Sequence, residues 1–264
     1  MVNDSLVVSR IMHKVIRAPG VVGFRIERAR QRRSMHKLRT ATIVLVIAAV
    51  ASVSVRGRSS QGLRPISPAP HVYQLGSVRV DIPPPRGFEE MLSRSAEFRQ
   101  RIGEPERLWN LAAHLPSEIA KTFKADQDIP LYTKVSVSRA AVETDITDEF
   151  FAGVVKQQSD MAVYDQDFLK KYMADRAKQL GVTLDKPVAL GLIEQTPRSY
   201  STLALTTVAT PDRRINLLFS TSLLHLNRRL IFAYVYRIID SQKDQALVET
   251  LAREWVKSIL AANP

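Results

Sequence analysis

Three apolar patterns succeed one another along the chain: an unbroken run, a stretch of helical spacing, and a long tract of alternation. The unbroken run is Ala41–Val55, which carries no charge and is flanked by Arg39 and Arg56. As a helix it would extend roughly 22 Å, short of a bilayer core about 30 Å thick. After it, Gly57, Ser59, Ser60, Gly62, Pro65, Ser67, Pro68 and Pro70 interrupt every period, so residues 56–70 read as a flexible linker. Order is expected from His71, and residues 71–264 read as one domain.

Within that domain, Val72–Leu75 and Val78–Ile82 alternate around Gly76-Ser77 and predict a hairpin closed by Pro83-Pro84-Pro85. Phe88, Met91, Leu92, Phe98 and Ile102 have helical spacing, ended by Gly103. Pro105 is read as opening a short helix with Leu108, Leu111 and Ala112 inward, and Pro116 as starting another. Leu131–Ser138 alternates and predicts a strand, with Leu131, Thr133, Val135 and Val137 on one face. Helices are expected over Asp148–Gln158 and over Asp165–Leu180, which Gly181 would end.

The last third predicts four consecutive strands, Val188–Glu194, Ser199–Val208, Arg214–His225 and Arg229–Ile239, joined by short turns as an antiparallel meander. Ile215, Leu217, Phe219 and Leu223 share one face of their strand, and Leu230, Phe232, Tyr234 and Tyr236 one face of theirs. Ser241 then caps a long helix, Asp244–Ala262, with Leu247, Leu251, Trp255 and Ile259 as its inward stripe. The order predicts an α+β fold: an antiparallel sheet from the N-terminal hairpin and the four-strand meander, packed by helices including the long C-terminal one.

Charge changes the picture mainly at the N-terminus. The formal charge of +12 is uneven: residues 1–40 hold ten basic and two acidic side chains, residues 41–80 four and none, and residues 81–264 twenty-four of each. A nucleic-acid binder needs its basic surface on the folded module, so no nucleic acid is expected as the domain's ligand. The basic excess instead frames Ala41–Val55 and places the preceding residues on the cytoplasmic side.

Two readings of that run follow. It is a signal-peptide h-region, with Ala49-Val50-Ala51 as the signal-peptidase site (Ala49 and Ala51 the small residues) and Ser52 the mature start. Or it is an uncut single transmembrane helix with residues 1–40 as a basic cytoplasmic segment. Met35-His-Lys-Leu-Arg is also a compact n-region, which would make Met35 the start and residues 1–34 a mis-annotated extension. Arg32-Arg33 resembles the twin-arginine export consensus, with His36 departing from it. A transit peptide is the residual alternative. Both main readings put residues 56–264 outside the cytoplasm: inner membrane single-pass, or periplasmic or secreted after cleavage near Ala51.

Candidate chemistry is sparse. The chain has no cysteine and ten glycines, which excludes thiolate chemistry and disulfides. No G-x-S-x-G, H-E-x-x-H, P-loop or dinucleotide motif occurs, so no cofactor is expected. The acidic pairs Asp126/Asp128, Asp145/Asp148 and Asp165/Asp167 are oxygen ligands for a cation or, more simply, caps and turns. His114 and His225 are the candidate general bases, weighed against hydrogen-bonded structural histidines. Ser201, Thr202, Thr206 and Thr207 have no base beside them in sequence. Arg228, Arg229, Tyr234, Tyr236 and Arg237 form the richest polar-aromatic cluster. They are read as an interaction surface or as tyrosines packed under the C-terminal helix.

The run Asn227-Arg-Arg-Leu-Ile-Phe-Ala-Tyr-Val-Tyr236, then Asp244, then Trp255 through Asn263, resembles a family of exported proteobacterial proteins of unassigned activity. Val78-Arg-Val-Asp-Ile-Pro83 before Gly87-Phe88 is similar to the opening of PsbP-like domains, whose element order matches residues 71–264. The chain departs from them in its additional helices between Asp145 and Leu180 and in Asn-Arg where Asn-Gly is usual. The resemblance implies a non-enzymatic envelope module that binds or assists another protein, and it transfers no functional residue. Function is thus expected to be binding or assembly, with the membrane (via residues 41–55) and an envelope protein as partners. The alternative is an envelope hydrolase whose site assembles around His114 or His225.

Overall fold

The computed structural model describes residues 66–69, 71–105, 107–124, 127–160, 183–185, 187–209, 214–239, 241 and 243–264. The basic segment 1–40, the run 41–55 with Ala49 and Ala51, and the helix expected over Asp165–Leu180 lie outside the described residues. Among those described, no helix is long and apolar enough to cross a membrane.

The fold is α+β, as the pattern predicts. Three short strands, β1 (Ile66–Ala69), β2 (Val72–Leu75) and β3 (Val78–Asp81), make a small antiparallel sheet. The expected hairpin is present, and a strand inside the expected linker extends it. The large sheet comprises β4 (Phe88–Glu90), β5 (Leu108–Pro116), β6 (Leu131–Ser138), β7 (Thr183–Leu184), β8 (Val188–Thr196), β9 (Ser199–Ala209), β10 (Arg214–Leu226) and β11 (Arg229–Ile238). Its order is β4-β5-β6-β11-β10-β9-β7, and β8 also pairs with β9. Helices α1 (Ala96–Ile102), α2 (Ser117–Thr122), α3 (Asp148–Asp160) and α4 (Lys243–Ala262) cover its faces.

Two apolar layers result. On one face Phe98 and Ile102 of α1 and Phe151, Val154 and Val155 of α3 meet Phe219, Leu223, Phe232, Tyr234 and Tyr236. On the other, Val248, Ala252, Trp255, Val256 and Ile259 of α4, with Leu75 and Val80 of the small sheet and Ile82 just after it, meet Leu218, Ile231, Ala233 and Val235.

Several elements differ from expectation for identifiable reasons. The helix expected from Phe88 begins only at Ala96, where the Ser95 hydroxyl accepts from Phe98 N and Gly103 (φ 61°) ends the turn. Phe88–Glu90 is instead an edge strand paired with His114–Pro116. The helix expected after Pro105 is strand β5. It is buried on both faces, and a register shift between Asn110 and Ala112 puts Leu111 and Ala112 on one face and Ala113 and Leu115 on the other. A strand buried on both faces shows no alternation, and the bulge imitates helical spacing.

β6 is likewise buried through Val137 on both faces, so Tyr132 and Lys134 are interior as well. The stripe of α4 runs through Val248, Ala252, Trp255, Val256 and Ile259, while Leu247 is 44% exposed on its flank. In register, Phe219 faces Tyr236 and Leu223 faces Phe232, so the two apolar rows of β10 and β11 form one face. Tyr234 and Tyr236 therefore lie on the side opposite α4.

The β10–β11 turn has Asn227 at φ 48° and Arg228 at φ 64°, the left-handed pair a two-residue hairpin requires. Arginine pays for its Cβ there. Arg228→Gly is expected to stabilise the domain by about 0.5–1 kcal/mol in urea unfolding, since the ion pair it loses to Asp145 is exposed.

Candidate functional site

The five residues of the polar-aromatic cluster do not form one surface. Arg228 is exposed, but Arg229, Tyr234 and Tyr236 are each about 1% exposed. The parity of β11 explains this: Tyr234 and Tyr236 follow Leu230 and Phe232 into the core. There Tyr236 stacks on Tyr132 at 4.5 Å, and the buried Lys134 ammonium sits 5.2 Å from the Tyr234 ring centroid and 5.9 Å from that of Tyr236. Burial pushes the Tyr132 phenol well up.

Arg229 takes the other face. Its guanidinium donates to Asp145, to Leu75 O (3.3 Å) and to Thr144 O (3.4 Å), tying the small sheet and the 144–145 loop to the start of β11. The Arg229 hydrogen bond foremost, with Arg228 beside it, holds the Asp145 carboxyl below its usual range. Arg237 pairs with Asp244 at 2.8 Å, and Asp244 also accepts from Ser241 N, the return bond of a capping box. These arginines are structural ties.

His225 lies at the end of β10, stacked on Phe151 at 5.4 Å. Its Nε2 is 2.8 Å from Ile146 O and its Nδ1 3.1 Å from Asp148 Oδ1. Both nitrogens are thus engaged in holding the start of α3 on the sheet. A substrate would have to displace a backbone carbonyl to reach either one. His114, fully buried, has Nδ1 2.9 Å from the Thr133 hydroxyl and its ring edge-on to Trp255 at 5.6 Å. Burial first, and the neighbouring His71 second, hold the His114 pKa down at about 3. Its Nε2 is buried without a hydrogen-bond partner, and so is Nδ1 of His71.

Of the acidic pairs, Asp145/Asp148 alone lies wholly among the described residues, and its two members serve different partners. Asp145 serves the arginines and Asp148 serves His225, while Asp126, Asp165 and Asp167 lie outside the described residues. Among those described, no group of three His, Asp or Glu could hold a metal. Ser201 hydrogen-bonds Ser222 at 2.8 Å, Thr206 donates to Asp185 O and Thr207 to Asn216 Oδ1; none meets a histidine in these bonds.

The strand expected over Val188–Glu194 is present as β8, but its sequence did not mark it as a candidate surface. Val188 is 54% and Leu192 56% exposed, and among the described residues β9 is the sole strand that pairs with it. Register shifts at Ala189/Gly191 and Leu192/Glu194 let Leu190 and Ile193, three apart, both pack on the core while Val188 and Leu192 face outward. An edge strand whose first five residues expose Val188 and Leu192 is a feature that proteins acting alone tend to cover or charge.

No family model and no curated protein matches the chain. Two solved structures are similar: a point mutant of Mog1, at 12% identity and a TM-score of 0.30 over 76% of this chain and 92% of that one, and the Ran-binding protein Mog1p of Saccharomyces cerevisiae, at 12% and 0.30 over 77% and 93%. Likeness at this level carries neither activity nor partner to the chain.

Proposed function

We propose that this chain is an exported or membrane-tethered envelope protein whose folded part binds another protein and is not an enzyme. The observation that carries the binding reading is β8. Its outward edge, with Val188 and Leu192 exposed, suits an extended segment of a partner added as a further strand, where main-chain hydrogen bonds supply affinity and side-chain contacts selectivity. The locked geometry of His225 and the full burial of His114 count against the hydrolase alternative. Export rests on the neutral, motif-poor domain behind the apolar run 41–55.

A photoreactive residue at position 192, introduced in intact cells, is expected to capture one defined envelope protein. The same probe at the exposed Glu254 on α4 should not capture it. Leu192→Lys is expected to abolish co-purification of that protein without shifting the thermal midpoint, since a charge on an open edge blocks strand addition. Equal capture from both positions, or undiminished co-purification with Leu192→Lys, would overturn the reading. N-terminal sequencing of the protein from fractionated cells tests the compartment: a start at Ser52 marks cleavage, and recovery of the protein in the cytosol defeats export.

A further inference from the structure

We infer, on the strand-addition reading of β8, that the segment this edge takes up carries a basic side chain beside an apolar one, and that Glu194 selects it. Glu194 is half-buried near the end of β8. Its Oε2 is withdrawn from solvent and has no hydrogen-bond partner. Buried polar atoms without partners are rare enough in folded proteins that each requires a reason, and a carboxylate oxygen is among the hardest to leave so.

The strand register places the group. Leu192 pairs with Thr202 and Glu194 with Ser201. Those two partners are adjacent on β9, so the two side chains of β8 lie on opposite faces of the sheet. Ser201 has the parity of Leu203, which packs in the layer beneath α4. Glu194 therefore points to the α4 side and Leu192, 56% exposed, to the other. Arg253, which α4 brings to this strand, donates to Ile193 O at 3.4 Å. Among the described residues neither it nor any other cation forms an ion pair with Glu194.

An inward-pointing charge on an edge strand rejects most strands that could add there, because pairing would seal the charge away from water. It admits one that brings the opposite charge, so a single group excludes wrong partners and favours the right one. A strand added beside β8 sets its side chains about 4.5–5.5 Å, Cβ to Cβ, from those opposite. A lysine or arginine there reaches the Glu194 carboxylate, and the residue next to it lies on the face of Leu192. A basic residue adjacent to an aliphatic one is therefore what this edge accepts. An acidic or wholly neutral segment leaves the carboxylate buried and unpaired.

Three peptides of the nine-residue length of β8 serve as probes, valine alternating with lysine, with threonine or with glutamate, titrated against the full chain at physiological ionic strength. The lysine peptide is expected to bind at least about 10-fold more tightly than the threonine one, and the glutamate peptide weakest of all. Glu194→Gln should abolish that preference, weakening the lysine peptide and strengthening the threonine one, and Glu194→Lys should reverse it in favour of glutamate. Leu192→Lys should abolish binding of the threonine peptide. A lysine preference retained in both Glu194 variants overturns the selection by charge and leaves strand addition standing. Failure of all three peptides to bind, or binding indifferent to Leu192→Lys, overturns strand addition and the selection with it.

Discussion

Replacing Arg229 with alanine is expected to lower the unfolding free energy by about 3 kcal/mol, read from urea unfolding at neutral pH. The side chain is almost wholly buried, and its loss strands the carbonyls of Leu75 and Thr144 in an interior otherwise filled by Val80, Ile82 and α4. Arg229→Lys should recover little, because one ammonium cannot reproduce a planar fork serving four acceptors. Asp145 provides an internal check. Its folded carboxyl is held low, so its contribution is present above the unfolded pKa and disappears as pH falls through the folded one. That acid-dependent loss should shrink in the alanine variant; an unchanged acid limb would mean the pair contributes nothing measurable.

The second large effect is a loss of stability in mild acid that depends on His114. The folded ring has a pKa of about 3 against an ordinary 6.5. Below pH 6.5 the unfolded chain therefore binds a proton that the folded one refuses, and stability falls as pH falls towards 3. Between pH 6.5 and 4.5 this single group is expected to remove about 2 kcal/mol from the stability of the protein. His114→Leu should flatten that window while leaving the steeper carboxylate-driven loss at lower pH. Parallel pH profiles for the two proteins would show that the ring is charged in the fold after all.

The elements legible in the sequence were those bounded by well-marked turns. β9, β10 and β11 are runs rich in apolar and β-branched residues between turn residues, readable even though β11 is buried on both faces, and Gly103 and Ser95 bound α1 by their backbone and capping chemistry. β5 was hidden because both of its faces are buried and a bulge breaks its period. The stripe of α4 was misplaced because Leu247 looks like Val248 to any hydropathy count; the depth of the groove beneath the helix decides between them. Arg229, Tyr234 and Tyr236 read as a surface by residue type, although the parity of Leu230 and Phe232 already directed both tyrosines inward.

That docking has a kinetic side. Asp81 exchanges hydrogen bonds with Asn263 across 182 residues, and Trp255 reaches Pro83 across 172. Closing such loops carries a large entropic cost before any contact repays it, and domains built this way fold slowly. A chain emerging with its amino end first keeps β2 and β3 without their packing partner until the final helix has arrived. Loss of that helix alone would leave Leu75, Val80 and Ile82 facing water, so late truncations should present as failure of the earliest strands.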